Sequence, residues 1–266
     1  MAEDSVLLDV DERGVAALTI NRPEIHNAFD DALINRLLQA LESVEMDPRV
    51  RVVILRAEGK SFSAGADLNW MRRMADYSED ENLADARMLA KLMQTLNGLS
   101  KPTIARVQGA AFGGGVGLVA CCDMAVASER ARFSLSEVRL GLIPAVISPY
   151  VIAAIGERAA RRYFLTAERF DAEEACRLGL LQGVVAEEQL DSRIEELVAE
   201  LLKGGPKAQA AAKSLIFAVS RQPTGEAVIE DTARRITATR ASDEGKEGLN
   251  AFLNKRPPAW IEEGTE

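Results

Sequence analysis

The chain has 266 residues, with 32 basic and 41 acidic side chains, a formal net charge of −9, one histidine and three cysteines. That length suits one large domain or a core with a smaller appendage, and 47% apolar with 27% charged residues supplies a sizeable globular core. The acidic balance argues against a nucleic-acid binder or a membrane-surface protein, both of which use basic faces, but a local site can still take an anion.

In chain order, Val6–Val10 and Val15–Ile20 read as a hairpin around the turn-rich Asp11-Glu12-Arg13-Gly14. A helix is expected from Asp30 to Met46, where Ile34, Leu37, Leu38, Leu41 and Val44 recur at helical spacing. Val50–Leu55 is a compact β-branched run suited to a strand buried on both faces. A Gly/Ser-rich loop leads to helical stretches at Asp67–Ala75 and Glu81–Leu99, and Pro102 introduces a strand at Thr103–Val107. The turn Gly113-Gly114-Gly115 opens an apolar helix through Cys122, and Met124–Ala127 resumes the sheet, giving a βαβ series. From Glu187 the pattern is helical: Glu188–Leu202, Lys207–Ser220, Gly225–Ser242 and Asp243–Asn254. Gly204-Gly205-Pro206 marks the expected boundary between a core, residues 1–203, and a helical region, residues 204–266.

The single histidine, His26, leaves no two-histidine metal motif within one subunit, so no metal is expected. A Ser-His-Asp triad would have to use His26 from the loop-like run Arg22-Pro23-Glu24-Ile25-His26-Asn27. Cys121, Cys122 and Cys176 contain no Cys-x-x-Cys pair, and the plain reading is reduced thiols in a cytosolic protein. The acidic start lacks a signal core and no run approaches the ~18 apolar residues of a membrane span, so a cytoplasmic location is expected. Chemistry must therefore lean on carboxylates, hydroxyls or backbone amides.

Two turns stand out. Gly115-Val116-Gly117-Leu118-Val119-Ala120 formally fits Gly-x-Gly-x-x-Ala, with Glu137 about 20 residues on, as in a dinucleotide site. The match is weak, because it lies mid-chain and Gly117 falls inside the expected helix. The simpler reading is that several glycines opening a helix leave N–H groups for an anion or oxyanion, against a plain close helix–strand approach. The second turn, Lys60-Ser61-Phe62-Ser63-Ala64-Gly65-Ala66-Asp67, also links a strand to a helix, with Asp67 placed as a cap or first-turn acid. Alone it reads as a tight turn. Together, the two turns can aim two backbone donors at one carbonyl oxygen.

Ser63-Ala64-Gly65-Ala66-Asp67-Leu68, Val107-Gln108-Gly109-Ala110-Ala111-Phe112-Gly113-Gly114-Gly115 and Phe133-Ser134-Leu135-Ser136-Glu137-Val138-Arg139-Leu140-Gly141-Leu142-Ile143-Pro144 resemble the enoyl-CoA hydratase/isomerase (crotonase) family. Asn21-Arg22-Pro23, Asn27-Ala28 and Phe252-Leu253-Asn254-Lys255-Arg256 fall where that family has equivalent segments, so the resemblance spans the chain. Around Gly113–Cys122 and Ile143–Tyr150 it is most like bacterial methylglutaconyl-CoA and isohexenylglutaconyl-CoA hydratases. The resemblance implies an α/β spiral of ββα units, a C-terminal helical trimerisation region, homotrimers or homohexamers, and acyl-CoA thioester substrates from leucine or acyclic-terpenoid breakdown. No separate cofactor is implied, because coenzyme A is part of the substrate.

By the same resemblance Ala66 and Gly114 match the oxyanion donors and Glu137 a catalytic acid/base. Ala64 would lie beside adenine, and Gly65, Asp67 and Leu68 of the same segment are expected to bind substrate. The His26–Ala28 segment would follow the pantetheine and phosphates, and Lys255 would meet a phosphate, in its own or a neighbouring subunit. The residues alone make Lys255 a solvated cation and Glu137 a surface acid. Gly117 stands where such hydratases carry a first glutamate, which keeps a Δ3,Δ2-enoyl-CoA isomerase and a non-catalytic acyl-CoA binder open beside the hydratase. Gly117 would also free room for a branched acyl chain. A glutaconyl-type substrate calls for a cation, for which Arg72, Arg73 and Arg139 are the candidates, Arg139 foremost.

Overall fold

Strands β1 (Val6–Val10) and β2 (Val15–Ile20) form the expected antiparallel hairpin, Val6 facing Ile20 and Val10 facing Ala16. These and all later coordinates come from a computed structural model that describes residues 5–220 and 222–261. Gly14 closes the turn at φ 82°, where an added Cβ would stand 2.2 Å from the Arg49 carbonyl oxygen, so both conformation and space demand glycine.

Helix α1 (Asp31–Met46) starts one residue later than its apolar pattern suggests because Asp30 is its cap, accepting from the Leu33 N–H at 2.8 Å. Its Leu33, Ile34, Leu37, Leu41 and Val44 are buried. β3 (Val52–Ala57) begins two residues beyond the expected Val50, because Val50 donates to Asp47 and Arg51 to Gly14, holding both in the preceding turn. Each fully buried leucine or valine contributes roughly 1.5–3 kcal/mol.

After β3 the chain repeats one theme. A longer strand joins a first sheet, a short strand joins a second, and a helix returns: β4 (Ser61–Ser63), α2 (Leu68–Ala75) and α3 (Glu79–Gly98), then β5 (Thr103–Val107), β6 (Ala110–Phe112) and α4 (Gly114–Cys121). Next come β7 (Met124–Ser128), β8 (Arg132–Ser134), α5 (Ser148–Thr166), β9 (Phe170–Asp171), α6 (Ala172–Leu178) and β10 (Gly183–Val185). Among the described residues the first sheet runs β1-β2-β3-β5-β7-β10, parallel from β2 onward, and the second runs β4-β6-β8-β9. This is the expected α/β spiral of ββα turns.

The sequence pattern assigns no element between Ala127 and Glu187, where α5 lies. Pro149 in its first turn reads as a breaker yet is tolerated there, since the first N–H groups have no helical partner. Gly156, at φ 78° and ψ 157°, then leaves helical conformation and kinks α5 into two helical stretches.

By internal contacts the chain divides between Glu195 and Glu196, Ser100–Pro102 going with the second unit. The break falls within α7 (Leu190–Leu202). The second unit continues with α8 (Pro206–Val219), α9 (Glu226–Ala241) and α10 (Asp243–Leu253), which pack on one another. Among the described residues no helix is long and apolar enough to cross a membrane.

Candidate active site

The site is built where β4 and β6 deliver the chain to α2 and α4. Gly115 packs so closely that an added Cβ would stand 2.9 Å from the Ser63 carbonyl oxygen, and one at Gly65 would stand 3.4 Å from that of Phe112. Phe29 joins the two turns. Its N–H donates to the Gly65 carbonyl at 2.7 Å, its carbonyl accepts from the Asp67 N–H at 2.7 Å, and its ring lies 3.4 Å from the Cβ position of Gly114. Phe29 thus brackets Ala66 through both of its chain neighbours and packs against Gly114. Among the described residues neither of their N–H groups donates a hydrogen bond. At Gly114 this follows from its place as first residue of α4, where the helix itself offers no acceptor.

Glu137 opens a 3₁₀ turn, Glu137–Leu140, that follows β8. Gly113, capping α4 at φ 50°, donates to the Ser134 carbonyl at 2.9 Å, and its Cβ position lies 3.1 Å from Glu137 Oε1. The carboxyl therefore stands against the glycine turn. Its Oε2 is buried with no partner among the described residues, and burial pushes its pKa above the usual 4.5, opposed in part by its own backbone N–H. Glu137 thus stands against the residue before Gly114, and Phe29 ties Gly114 to the turn that carries Ala66.

A second loop is tied to the first. The Ala64 N–H donates to the His26 carbonyl at 2.9 Å, while His26 Nδ1 lies 3.1 Å from Ser61 Oγ. His26 and Asn27 both have φ 55°, a left-handed pair held by the fully buried Asn27 side chain, which donates to the Glu58 and Ser61 carbonyls and accepts from the Arg22 N–H, each at 2.8 Å. Arg22 donates to the Ala28 carbonyl at 3.1 Å and pairs with Asp30 at 2.8 Å. Ala28 and Gly65 are buried; His26, Ala64, Ala66 and Leu68 are exposed.

Asp67 is the α2 cap, its carboxylate accepting from Asn69 and Trp70 N–H groups at 2.8 and 3.0 Å. Arg73 is paired with Asp31 at 2.7 Å and Arg72 donates to Asn69 at 2.8 Å. Arg139, two residues beyond Glu137, is exposed and makes no ion pair among the described residues. Lys255 lies in the second unit, exposed just past α10 at φ 53°.

Gly117 corrects one expectation. It is buried in α4, and an added Cβ would stand 2.3 Å from Ile147 Cγ2. The room expected for a branched acyl chain is filled by Ile147. The dinucleotide reading also falls away, because Gly115 and Gly117 lie inside the helix and not in a turn before it. Phe29 and Ile147 escape the sequence reading, since one acts through its main chain and the other through a contact between segments far apart. Asn27, by contrast, belongs to a motif segment and its side-chain type signals a left-handed turn.

The profile of the family described as enoyl-CoA hydratase/isomerase matches residues 11–263. The crystal structure of an enoyl-CoA hydratase from Shewanella pealeana ATCC 700345 is 47% identical with a TM-score of 0.94, covering 96% of this chain and 96% of that one. The 2,3-dehydroadipyl-CoA hydratase of Escherichia coli K12 is 33% identical, covering 93% of this chain and 95% of its own. The trans-2-decenoyl-[acyl-carrier-protein] isomerase of Streptococcus mutans is 30% identical, covering 96% of this chain and 97% of its own.

Proposed function

Because the chain belongs to the enoyl-CoA hydratase/isomerase family, we propose that it adds water across the 2,3 double bond of a branched, glutaconyl-type enoyl-CoA. The observation that carries this reading is the Glu137 carboxyl, buried against Gly113 beside two undonated backbone N–H groups on one mount.

The Ala66 and Gly114 N–H groups hold the thioester oxygen. Glu137 takes a proton from water as the hydroxyl oxygen bonds C3, and the π pair moves onto the thioester oxygen as an enolate. Glu137 then returns the proton to C2. Two preset donors acting where charge develops lower this barrier without reorganisation. Ala64 and Gly65 border the adenine, the His26–Ala28 loop follows the pantetheine and phosphates, and Lys255 meets a phosphate. Leu68 and the Asp67-capped turn border the ligand. Arg139, whose guanidinium has no carboxylate partner among the described residues, takes the distal carboxylate of a glutaconyl chain. The region 204–266 serves oligomerisation, as trimer or hexamer, and no separate cofactor takes part.

One observation favours a second reading. With Gly117 under Ile147, Glu137 is the one carboxylate against the glycine turn among the described residues, which suits proton transfer between two carbons, a Δ3,Δ2-enoyl-CoA isomerase. Mass spectrometry of products from a panel of enoyl-CoA esters separates the readings. A gain of one water that Glu137→Gln abolishes, with thioester binding retained, supports the hydratase. Migration without mass change supports the isomerase, and binding without either reaction leaves a non-catalytic acyl-CoA binder.

A further inference from the structure

We propose that Arg22 is a positioning residue for the thioester oxygen: its guanidinium sets Phe29, and Phe29 sets the Ala66 donor. The proposal rests on the reading of Ala66 and Gly114 as oxyanion donors given above. It goes beyond that reading by naming the side chain on which the Ala66 seat depends.

The two donors are held in different ways. Gly114 begins α4, whose residues 115–119 are buried, so the packing of a whole helix fixes it. Ala66 lies between β4 and α2, in neither, and meets the core through an isolated parallel bridge to Phe29. Phe29 also belongs to no helix or strand. Its N–H and its carbonyl are both engaged by the chain neighbours of Ala66, Gly65 and Asp67. What fixes Phe29 is its ring, 2% exposed and packed on Gly114, and its own two neighbours. Arg22 holds both of those. Its Nη1 donates to the Ala28 carbonyl at 3.1 Å, and its Nη2 pairs with Asp30 Oδ2 at 2.8 Å. The other oxygen of Asp30 caps α1 through the Leu33 N–H at 2.8 Å, so the far end of the grip is itself anchored.

Arg22 is fastened before it reaches across. Its N–H donates to Asn27 Oδ1 at 2.8 Å, and its carbonyl accepts from the Asn27 N–H at 2.9 Å. The side chains of Arg22 and Asp30 are only 18% and 17% exposed, so the pair is screened less than a surface one. A planar fork serves a carbonyl and a carboxylate at once, where the lysine ammonium is a point charge without that geometry. The guanidinium therefore spans Ala28 and Asp30 around Phe29, and Phe29 spans Gly65 and Asp67 around Ala66. A shift of the inner residue carries to the outer one. Misplacing a reacting group by about 1 Å can cost about 10²-fold in rate.

The test uses the full chain and trans-2-hexenoyl-CoA, plain for kinetics and ¹³C-labelled at the thioester carbonyl for infrared difference spectra. The spectra are taken in the Glu137→Gln background, where turnover is slowed and binding alone is needed. Two donors on the oxygen polarise the carbonyl and lower its stretching frequency. Arg22→Gln keeps a donor for Ala28 but loses the ion pair. It is expected to lower kcat about tenfold with KM within about twofold, and to move the bound stretch part of the way back to the free value. Arg22→Lys, which keeps the charge without the fork, and Asp30→Asn, which keeps the cap on α1 without the charge, move the stretch the same way. Both cost less in a thermal melt, and so guard against misfolding of the glutamine variant. An arginine that served stability alone would lower the melt and the folded fraction, leaving the stretch and kcat per folded site unmoved. That result in all three variants overturns the role of Arg22 while the catalytic reading stands. A bound stretch equal to that of free thioester with Arg22 intact overturns the two donors, and the role of Arg22 with them.

Discussion

A carboxyl acting as base must be ionised when substrate arrives, yet Glu137 sits where burial favours its neutral form. The acid limb of kcat/KM should therefore lie above the ordinary glutamate value of 4.5, and a pH–rate profile checks this. The same shift bears on stability. The folded state binds more protons than the unfolded chain between the ordinary pKa and the raised one, so stability falls as pH rises through that window. Glu137→Gln removes the penalty. Its melting temperature should equal or exceed that of wild type at neutral pH, while kcat drops by about 10²–10⁴-fold and thioester affinity changes little. A variant losing stability and activity together at neutral pH would show the carboxylate to be a structural partner. Asp67 invites the opposite comparison. Its carboxylate already caps α2, so Asp67→Asn should keep both stability and KM, and Asp67→Ala should cost about 1 kcal/mol in denaturant titration.

Among the elements, α4 and β4 meet with no slack at Gly115. Gly115→Ala would place a Cβ 2.9 Å from the Ser63 carbonyl and force the two turns apart. Overpacking of this kind costs about 1–3 kcal/mol, readable in a melt, and kcat should fall with the misplacement of the two donors. How much of this was legible in the sequence follows from element length and from where each contact originates. β1, β2, β5 and α1 carry several residues of unbroken pattern, and their limits are readable to within a residue. β4, β6 and β8 have 3 residues each, too few for alternation to register, and their pairing comes from the spiral rather than from local preference. Helix α5 hides behind Pro149 and Gly156. At the site, Ala66, Gly114 and Glu137 lie in readable motifs, but Phe29 contributes hydrogen bonds any residue type could make, and Ile147 matters only once α5 is laid on α4.

For the molecule as a whole, the second unit leaves Ile216, Phe217, Ile229, Ile236, Phe252 and Leu253 exposed. Apolar side chains in that number on one set of helices suit burial against further copies of the chain. Light scattering coupled to size exclusion should return three or six times the mass of a single chain, and Phe252→Glu with Leu253→Glu should shift it downward. A single-chain mass for the unaltered protein would leave residues 204–266 without the assembly role proposed for them.

The position of Phe29 has an evolutionary consequence. The chain leaves the site at Asp67 and returns at Gly113, having meanwhile built α2, α3, β5 and β6, yet the residue that seats both ends precedes that whole excursion. The spacing of the two donors is thus insulated from the helices between them. If the proposed donors are the working ones, insertions, deletions or sequence drift across α2 and α3 would leave the seat of the thioester oxygen in place, because Phe29 holds both turns. A scaffold wired in this order can diversify its substrates without rebuilding its chemistry.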